Sequence, residues 1–256
     1  MMFFPTFTAA TEHFRRQLKA HGKWVENATW QGMDVSAKPE MRMRELSFQS
    51  FQVPMPYFGF MMAEDIKPNL PWADNHFEER VGGEPINPGV EWANWPWGNS
   101  ADKFRDENGQ FNHNYMERYW PKYAGADTPP FINHGIRFQY GDLNDVVSLL
   151  EREPLTRQAF LPVWFPEDTG AKNGRVPCTL GYHFMVRNDH LHVVYYIRSC
   201  DLVRHFQDDC YLTTRLALWL LDELRKRDNG WHNVSLGLYM MHISSLHCFA
   251  NDVPQL

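Results

Sequence analysis

The sequence predicts a single α+β domain spanning residues 1–256. Its segments run in the order strands, helix, strands, without the regular strand–helix alternation of a parallel α/β fold. No repeat, low-complexity tract or linker divides the 256 residues, and a chain of this length can bury one substantial core.

Along the chain, residues 8–21 read as a helix with Thr8 or Thr11 as cap, Phe14 and Leu18 on one face and Gly22 as the stop. Residues 45–62 are apolar and aromatic with prolines, which predicts strands. From Lys67 to Ala126, proline, glycine, asparagine and tryptophan dominate, which predicts long structured loops with short helices. Leu143, Val146, Val147 and Leu150 recur at i, i+3, i+4 and i+7 before Pro154, giving a helix over 142–152. Residues 158–165 are β-rich. Two apolar segments, 180–187 and 191–198, flank the polar Asn188-Asp189-His190 and predict a hairpin. Leu212, Leu216, Trp219, Leu220 and Leu224 mark a buried or amphipathic helix ending near Asn229-Gly230, and residues 235–249 form a last strand region.

Composition narrows the function. The net charge is −6 with a pI near 6.0, which argues against generic nucleic-acid coating. Hydrophobic content of 43% predicts a folded, soluble chain, and no apolar run is long enough to span a bilayer. The start MMFFPTFTAATEHFRR lacks the pattern of a secretory signal, so a cytoplasmic location is expected. Cys178, Cys200, Cys210 and Cys248 form no C-x-x-C pair; as spaced they read as free thiols.

One stretch carries chemistry. Arg175-Val-Pro-Cys178 precedes the hairpin and Arg198-Ser199-Cys200-Asp201 ends it, so the turn returns the arginine to the cysteine, where a cation favours a thiolate nucleophile. A buried cysteine with an unrelated surface arginine is the plainer alternative. Three other patterns are present: a candidate hydrolase triad of Cys178, His247 and an Asp, a metal site from His190, His192 and His183, and a solvated charge run over Glu78, Glu79 and Glu84. The first leaves the Arg-Ser pair unexplained, and the second is weaker than ordinary strand histidines. No metal is expected.

Pro177-Cys178, the Arg198-Ser-Cys-Asp201 block and Asp209 eight residues on, together with the segment 102–115 ending in Tyr115, Pro154-Leu-Thr-Arg157 and Ser245-Leu-His247, resemble the thymidylate synthase family. Within it the pattern is most similar to phage-type dCMP hydroxymethylases and CMP hydroxymethylases. The resemblance covers roughly residues 70–250. It implies a mixed twisted sheet with packed helices, a homodimer through a sheet face with shared active sites, and, for a phage enzyme, the bacterial host cytoplasm. By the same resemblance Cys178 adds to C6 of the pyrimidine, Glu79 serves as general acid/base in preference to Glu78 or Glu84, and the co-substrate is 5,10-methylenetetrahydrofolate. Arg198 and Ser199 bind the 5′-phosphate, Arg157 reaches the partner subunit's phosphate, and His247 and Tyr115 bind the nucleotide. Asp201 binds the folate's pterin ring, and Phe104 and Trp97 line the folate side, where the aromatics could equally be core packing.

Two departures matter. The chain has Arg157-Gln158 where the family carries paired arginines, and Phe249 where a tyrosine often follows the histidine, which leaves CMP open beside dCMP. Asp209 stands where thymidylate synthases have Asn. An ionised carboxylate only accepts hydrogen bonds, which suits the 4-amino group of cytosine; a protonated one can also donate. The expected activity is conversion of dCMP to 5-hydroxymethyl-dCMP with water and methylenetetrahydrofolate. The alternatives are a dCMP methyltransferase, a CMP hydroxymethylase, a dUMP-acting homologue and an inactive nucleotide-binding member.

Overall fold

In the computed structural model, described for residues 1–30, 32–97, 102–111, 113–122, 141–170 and 175–256, polar side chains cap several of the helices. Helix α1 (Phe7–His21) is capped by Thr6, whose hydroxyl accepts from the Ala9 N–H. The expected caps are spoken for elsewhere: the Thr8 hydroxyl donates to the Asp65 carbonyl, and the Thr11 hydroxyl to the Phe7 carbonyl. The Asp65 carboxylate accepts from the Phe7 and Thr8 N–H groups, tying α1 to α2 (Gly59–Ile66). The strand expected over 45–62 is β5 (Met43–Pro54), and residues 59–62 are helical instead. Pro54 and Pro56 end the ladder, after which Met62 and Ile66 bury one face of α2.

The proline-rich region contains a ten-residue helix, α3 (Trp72–Val81), and a short one, α4 (Tyr115–Tyr119), with 3-10 turns at Val90–Asn94 and Asp102–Phe104. Residues 98–101, 112 and 123–126 of that expected loop region, 112 being also in the tyrosine motif, lie outside the described residues. The periodicity at 142–152 gives α5 (Leu143–Arg152), started by a capping box in which Asp142 and Asp145 satisfy each other's backbone. Of the 158–165 run, only β6 (Phe160–Pro162) is strand; α6 (Pro166–Gly170) follows.

The hairpin forms as read. β7 (Thr179–Arg187) and β8 (His190–Asp201) pair antiparallel with Arg187 opposite His190. Asn188 and Asp189 both take positive φ, the pattern of a two-residue turn that matches strand twist. From β8 the chain crosses through the 22-residue α7 (Phe206–Arg227) and returns as β9 (Ser235–Phe249), parallel to β8.

With β1 (Met2–Phe3) and β2 (Lys23–Val25), these strands build a mixed seven-stranded sheet ordered β1-β5-β9-β8-β7-β6, with β2 also on β5. A separate ribbon pairs β3 (Thr29–Trp30) with β4 (Met33–Asp34). Helix α7 packs on β8 and β9 and is flanked by α2, α3 and α5, and the buried side chains form one cluster. No described helix is long and apolar enough to cross a membrane.

The left-handed turn yields a stability test. Replacing Asp189 with Gly should stabilise the fold by about 0.5–1 kcal/mol by relieving its positive φ, whereas Asp189→Val should destabilise it; paired denaturant titrations read both signs.

Candidate active site

Because β8 and β9 run parallel, their C-terminal ends finish side by side, with Asp201 opposite His247, and α7 begins directly after β8. The antiparallel β7 starts at that same edge and delivers Cys178 there. A cavity of about 490 Å³ opens between these ends and α3, within the size range of small-molecule sites. Cys178, Arg198, Ser199, Asp201, Asp209, His247, Tyr115, Phe104 and Trp97 all line it.

Arg198 fastens the nucleophile's segment. Its Nε and Nη2 donate to the Pro177 and Val176 carbonyls at 2.8 and 3.1 Å, its own N–H donates to the Cys178 carbonyl at 2.9 Å, and Nη2 lies 4.0 Å from the Cys178 Sγ. Burial pushes the thiol pKa up, and Arg198 and Arg175 pull against it. The plainer alternative of a surface arginine unrelated to the thiol does not hold. Beside Arg198, the Ser199 hydroxyl makes no hydrogen bond with the described residues, so Ser199 and Arg198 Nη1 remain for an anionic group.

Two carboxylates open α7, and their partners tell them apart. Asp208 accepts from both the N–H and the side-chain amide of Asn69 at 2.8 Å, which commits it to anchoring that loop. Asp209 meets the Cys200 thiol at 3.5 Å. Burial pushes the Asp209 pKa up to about 7, with Arg80 opposing and Asp208 reinforcing the rise.

On the opposite wall, Asp201 accepts from the Val203 and Arg204 N–H groups through Oδ1, while its buried Oδ2 makes no hydrogen bond; Arg204 Nε is 3.8 Å away. Such an oxygen is suited to a ligand N–H. Arg204 lies over Trp97 at 4.8 Å and Phe104 packs edge-on against Trp30, so this side is an aromatic wall. An orphaned carboxylate oxygen and flat aromatic rings lining one cavity fit a pterin ring. His247 is buried, with Ser245 Oγ 3.5 Å from its Nδ1. The Tyr115 ring faces the cavity, while its hydroxyl pairs with Thr179.

Two expected site residues lie elsewhere. Glu79 stands behind the cavity wall. Its Oε1 accepts from the Glu91 N–H at 3.0 Å and its Oε2 meets His76 Nδ1 at 3.3 Å. A Cβ at Gly89 would collide with this carboxylate, so only glycine lets the 89–91 backbone approach it. Glu78 pairs with Arg215 at the surface. Arg157 is exposed in the 153–158 segment, outside the cavity of its own subunit.

The sequence assigned no role to His76, Arg80, Arg175 or His205, all of which line the cavity. Trp72, His76 and Arg80 recur every fourth residue on the buried face of α3, a helical signal hidden by the surrounding prolines. His205 stacks on Trp95 at 4.9 Å, and burial takes its pKa down to about 3. Arg175 lies 5.0 Å over Trp92, within cation–π range. As to metals, His192 Nδ1 accepts from the Leu238 N–H, and no group of three or more His, Cys, Asp or Glu among the described residues could hold a metal ion.

A thymidylate synthase family model matches residues 89–220, just over half of the chain. That span contains Cys178, Arg198, Asp201 and Asp209, while α3 lies before it and β9 after it.

The raised Asp209 pKa has a thermodynamic signature. The folded state holds a proton that the unfolded chain has released between pH 3.8 and about 7, so this group lowers stability as pH rises through that window. Asp209→Asn should remove the loss. The variant should gain on wild type between pH 4 and 8, by on the order of a few kcal/mol, as read by denaturant titration at several pH values.

Proposed function

Because the chain belongs to the thymidylate synthase family, whose members carry out folate-dependent one-carbon transfer to a pyrimidine nucleotide, we propose that it is a dCMP C5-hydroxymethyltransferase. The reaction is dCMP plus 5,10-methylenetetrahydrofolate plus water, giving 5-hydroxymethyl-dCMP and tetrahydrofolate. The observation that carries this reading is Asp209, a carboxylate in the cavity with Cys178 and Arg198, where an amide would suit uracil.

The mechanism follows from the side chains. Arg198 Nη1 and the Ser199 hydroxyl take the 5′-phosphate, which holds the ring over Cys178. Cys178 Sγ adds to C6 as thiolate, favoured by Arg198 and Arg175, and C5 becomes the nucleophile. Ionised Asp209 accepts from the 4-amino group and keeps the base in register. The bound folate supplies a one-carbon unit at the oxidation level of formaldehyde. Asp201 Oδ2 would accept from the pterin ring, and Trp97 and Phe104, which line the same cavity, would flank it. The C5 proton then leaves to water as the bond from the transferred carbon to the departing tetrahydrofolate amine breaks, water adds to the exocyclic methylene left on C5, and expulsion of the Cys178 thiolate from C6 restores the aromatic ring. Glu79 takes no direct part in proton transfer, since His76 separates it from the cavity.

Arg157 supports a homodimer with shared sites, because it is exposed and stands apart from the cavity of its own chain.

Mass spectrometry of reactions with dCMP, CMP and dUMP tests the assignment. The expected product is dCMP gaining one formaldehyde equivalent; methylation of dUMP alone would overturn both base and product. Cys178→Ala should abolish turnover and release of tritium from C5. Asp209→Asn should move preference toward dUMP, and the rise of kcat/KM through about pH 7 should disappear with it. For the dimer, mixing inactive Cys178→Ala with weakened Arg157→Ala should restore activity, since one hybrid site is intact; no recovery in a proven mixed dimer would refute shared sites.

A further inference from the structure

Along α3, three side chains form a directional chain that ends in the cavity. The Arg80 Nε–H donates to His76 Nε2 at 3.0 Å, and since a guanidinium cannot accept, that nitrogen carries no proton. The proton of neutral His76 therefore sits on Nδ1 and is donated to Glu79 Oε2, while Oε1 is held by the Glu91 N–H. His76 is stacked between Trp72 at 5.0 Å and Trp92 at 6.1 Å, so its ring cannot turn. Burial takes its pKa down to about 4, which makes it a fixed acceptor for Arg80 at neutral pH rather than an acid.

Arg80 is only 6% exposed, and its guanidinium lies 4.1 Å over the Tyr115 ring. Neither Nη has a hydrogen-bond acceptor among the described residues, although both Arg80 and Asp209 line the cavity and their charges interact. A buried guanidinium held through Nε with both Nη groups uncommitted is costly unless a ligand supplies acceptors.

We propose that Arg80 is a specificity-determining residue, donating from Nη to the N3 and O2 edge of cytosine while Asp209 accepts from the 4-amino group. This rests on the reading of the site as a pyrimidine nucleotide pocket. Cytosine presents donor, acceptor, acceptor along N4, N3 and O2, which the carboxylate and guanidinium complement in turn. Uracil presents acceptor, donor, acceptor, so O4 would face the carboxylate and N3–H would face Arg80. His76 and Glu79 are positioning residues that aim the guanidinium.

Arg80 has a second effect through Asp209. The groups around that carboxylate are Tyr115 of α4, Cys178 just before β7, Tyr195 and Cys200 of β8, Tyr239 of β9, and Asp208 and Cys210 of α7, none of them cationic; hydrogen bonds from Cys200 and Tyr195 favour its charge, and Arg80 favours it most.

The test measures dCMP and dUMP dissociation constants by calorimetry, with the kcat/KM–pH profile, for wild type, Arg80→Met, Arg80→Lys and His76→Gln. Arg80→Met should cut the preference for dCMP over dUMP at least tenfold and move the pH limb upward. Arg80→Lys, which retains the charge but not the fork, should keep the limb near wild type and recover only part of the preference. His76→Gln, whose amide oxygen can still accept from Nε, should fall between wild type and Arg80→Met. Equal loss of both nucleotides with an unmoved limb would overturn the proposal, leaving Arg80 a packing residue. Should Arg80→Met not fold, an unchanged preference in Arg80→Lys would overturn it equally. Wild-type preference for dUMP would instead overturn the function proposed above, whatever Arg80 does.

Discussion

The parallel pairing of β8 with β9 is the constraint on which the site depends. It brings Asp201 and His247 level, and the crossover between the strands places the first turn of α7, with Asp208 and Asp209, at the same edge. Antiparallel pairing of β7 on β8 then brings the nucleophile there, and Arg198 locks it through three backbone contacts. The two acids also sit where the positive end of a helix macrodipole favours negative charge. Sheet order, more than any one contact, makes this a site.

The cavity manages its charge by division of labour. Burial keeps His76 and His205 neutral, so they act as fixed hydrogen-bonding and stacking surfaces. Asp208 spends its lone pairs on Asn69, and Arg204 pairs with Asp252 at 2.7 Å. Among the groups that stay open are Arg198 Nη1 and Ser199 for an anion, Asp209 and Arg80 for a base edge, and Asp201 Oδ2 for a donor. In a protein with net charge −6, the cavity lining sets four arginines, Arg80, Arg175, Arg198 and Arg204, among four aspartates, so attraction for an anionic substrate comes from where individual guanidinium groups point open valences. The attraction is local, and low dielectric strengthens it.

Much of the scaffold was legible because local rules governed it. The 142–152 helix has its apolar period and capping box, Asn188-Asp189 supports a two-residue turn, and the last strand spans the residues its pattern indicated. The cysteine and arginine were legible as neighbours because a hairpin returns to its own start. Glu79, a glutamate in a charged run that resembles an acid poised for chemistry, does not line the cavity. Which way it faces depends on the 89–91 backbone, whose approach is a tertiary event. The α3 stripe was obscured because flanking prolines and glycines suggested loops, while packing of α3 on α7 through Asp74, Phe77 and Glu78 settled the helix.

By itself the sequence determined the 142–152 helix, the β7–β8 hairpin and the last strand, since periodicity and turn chemistry are properties of short stretches. Only the tertiary structure decided which acids and cations remain uncommitted. Asp208 and Asp209 are adjacent and chemically identical, as are Glu78 and Glu79, and nothing local distinguishes them. Their partners do: Asn69 occupies one aspartate, Arg215 and His76 occupy the glutamates, and Asp209 is left facing the cavity. Those partners lie far away in sequence, so the distinction exists only once the chain has folded.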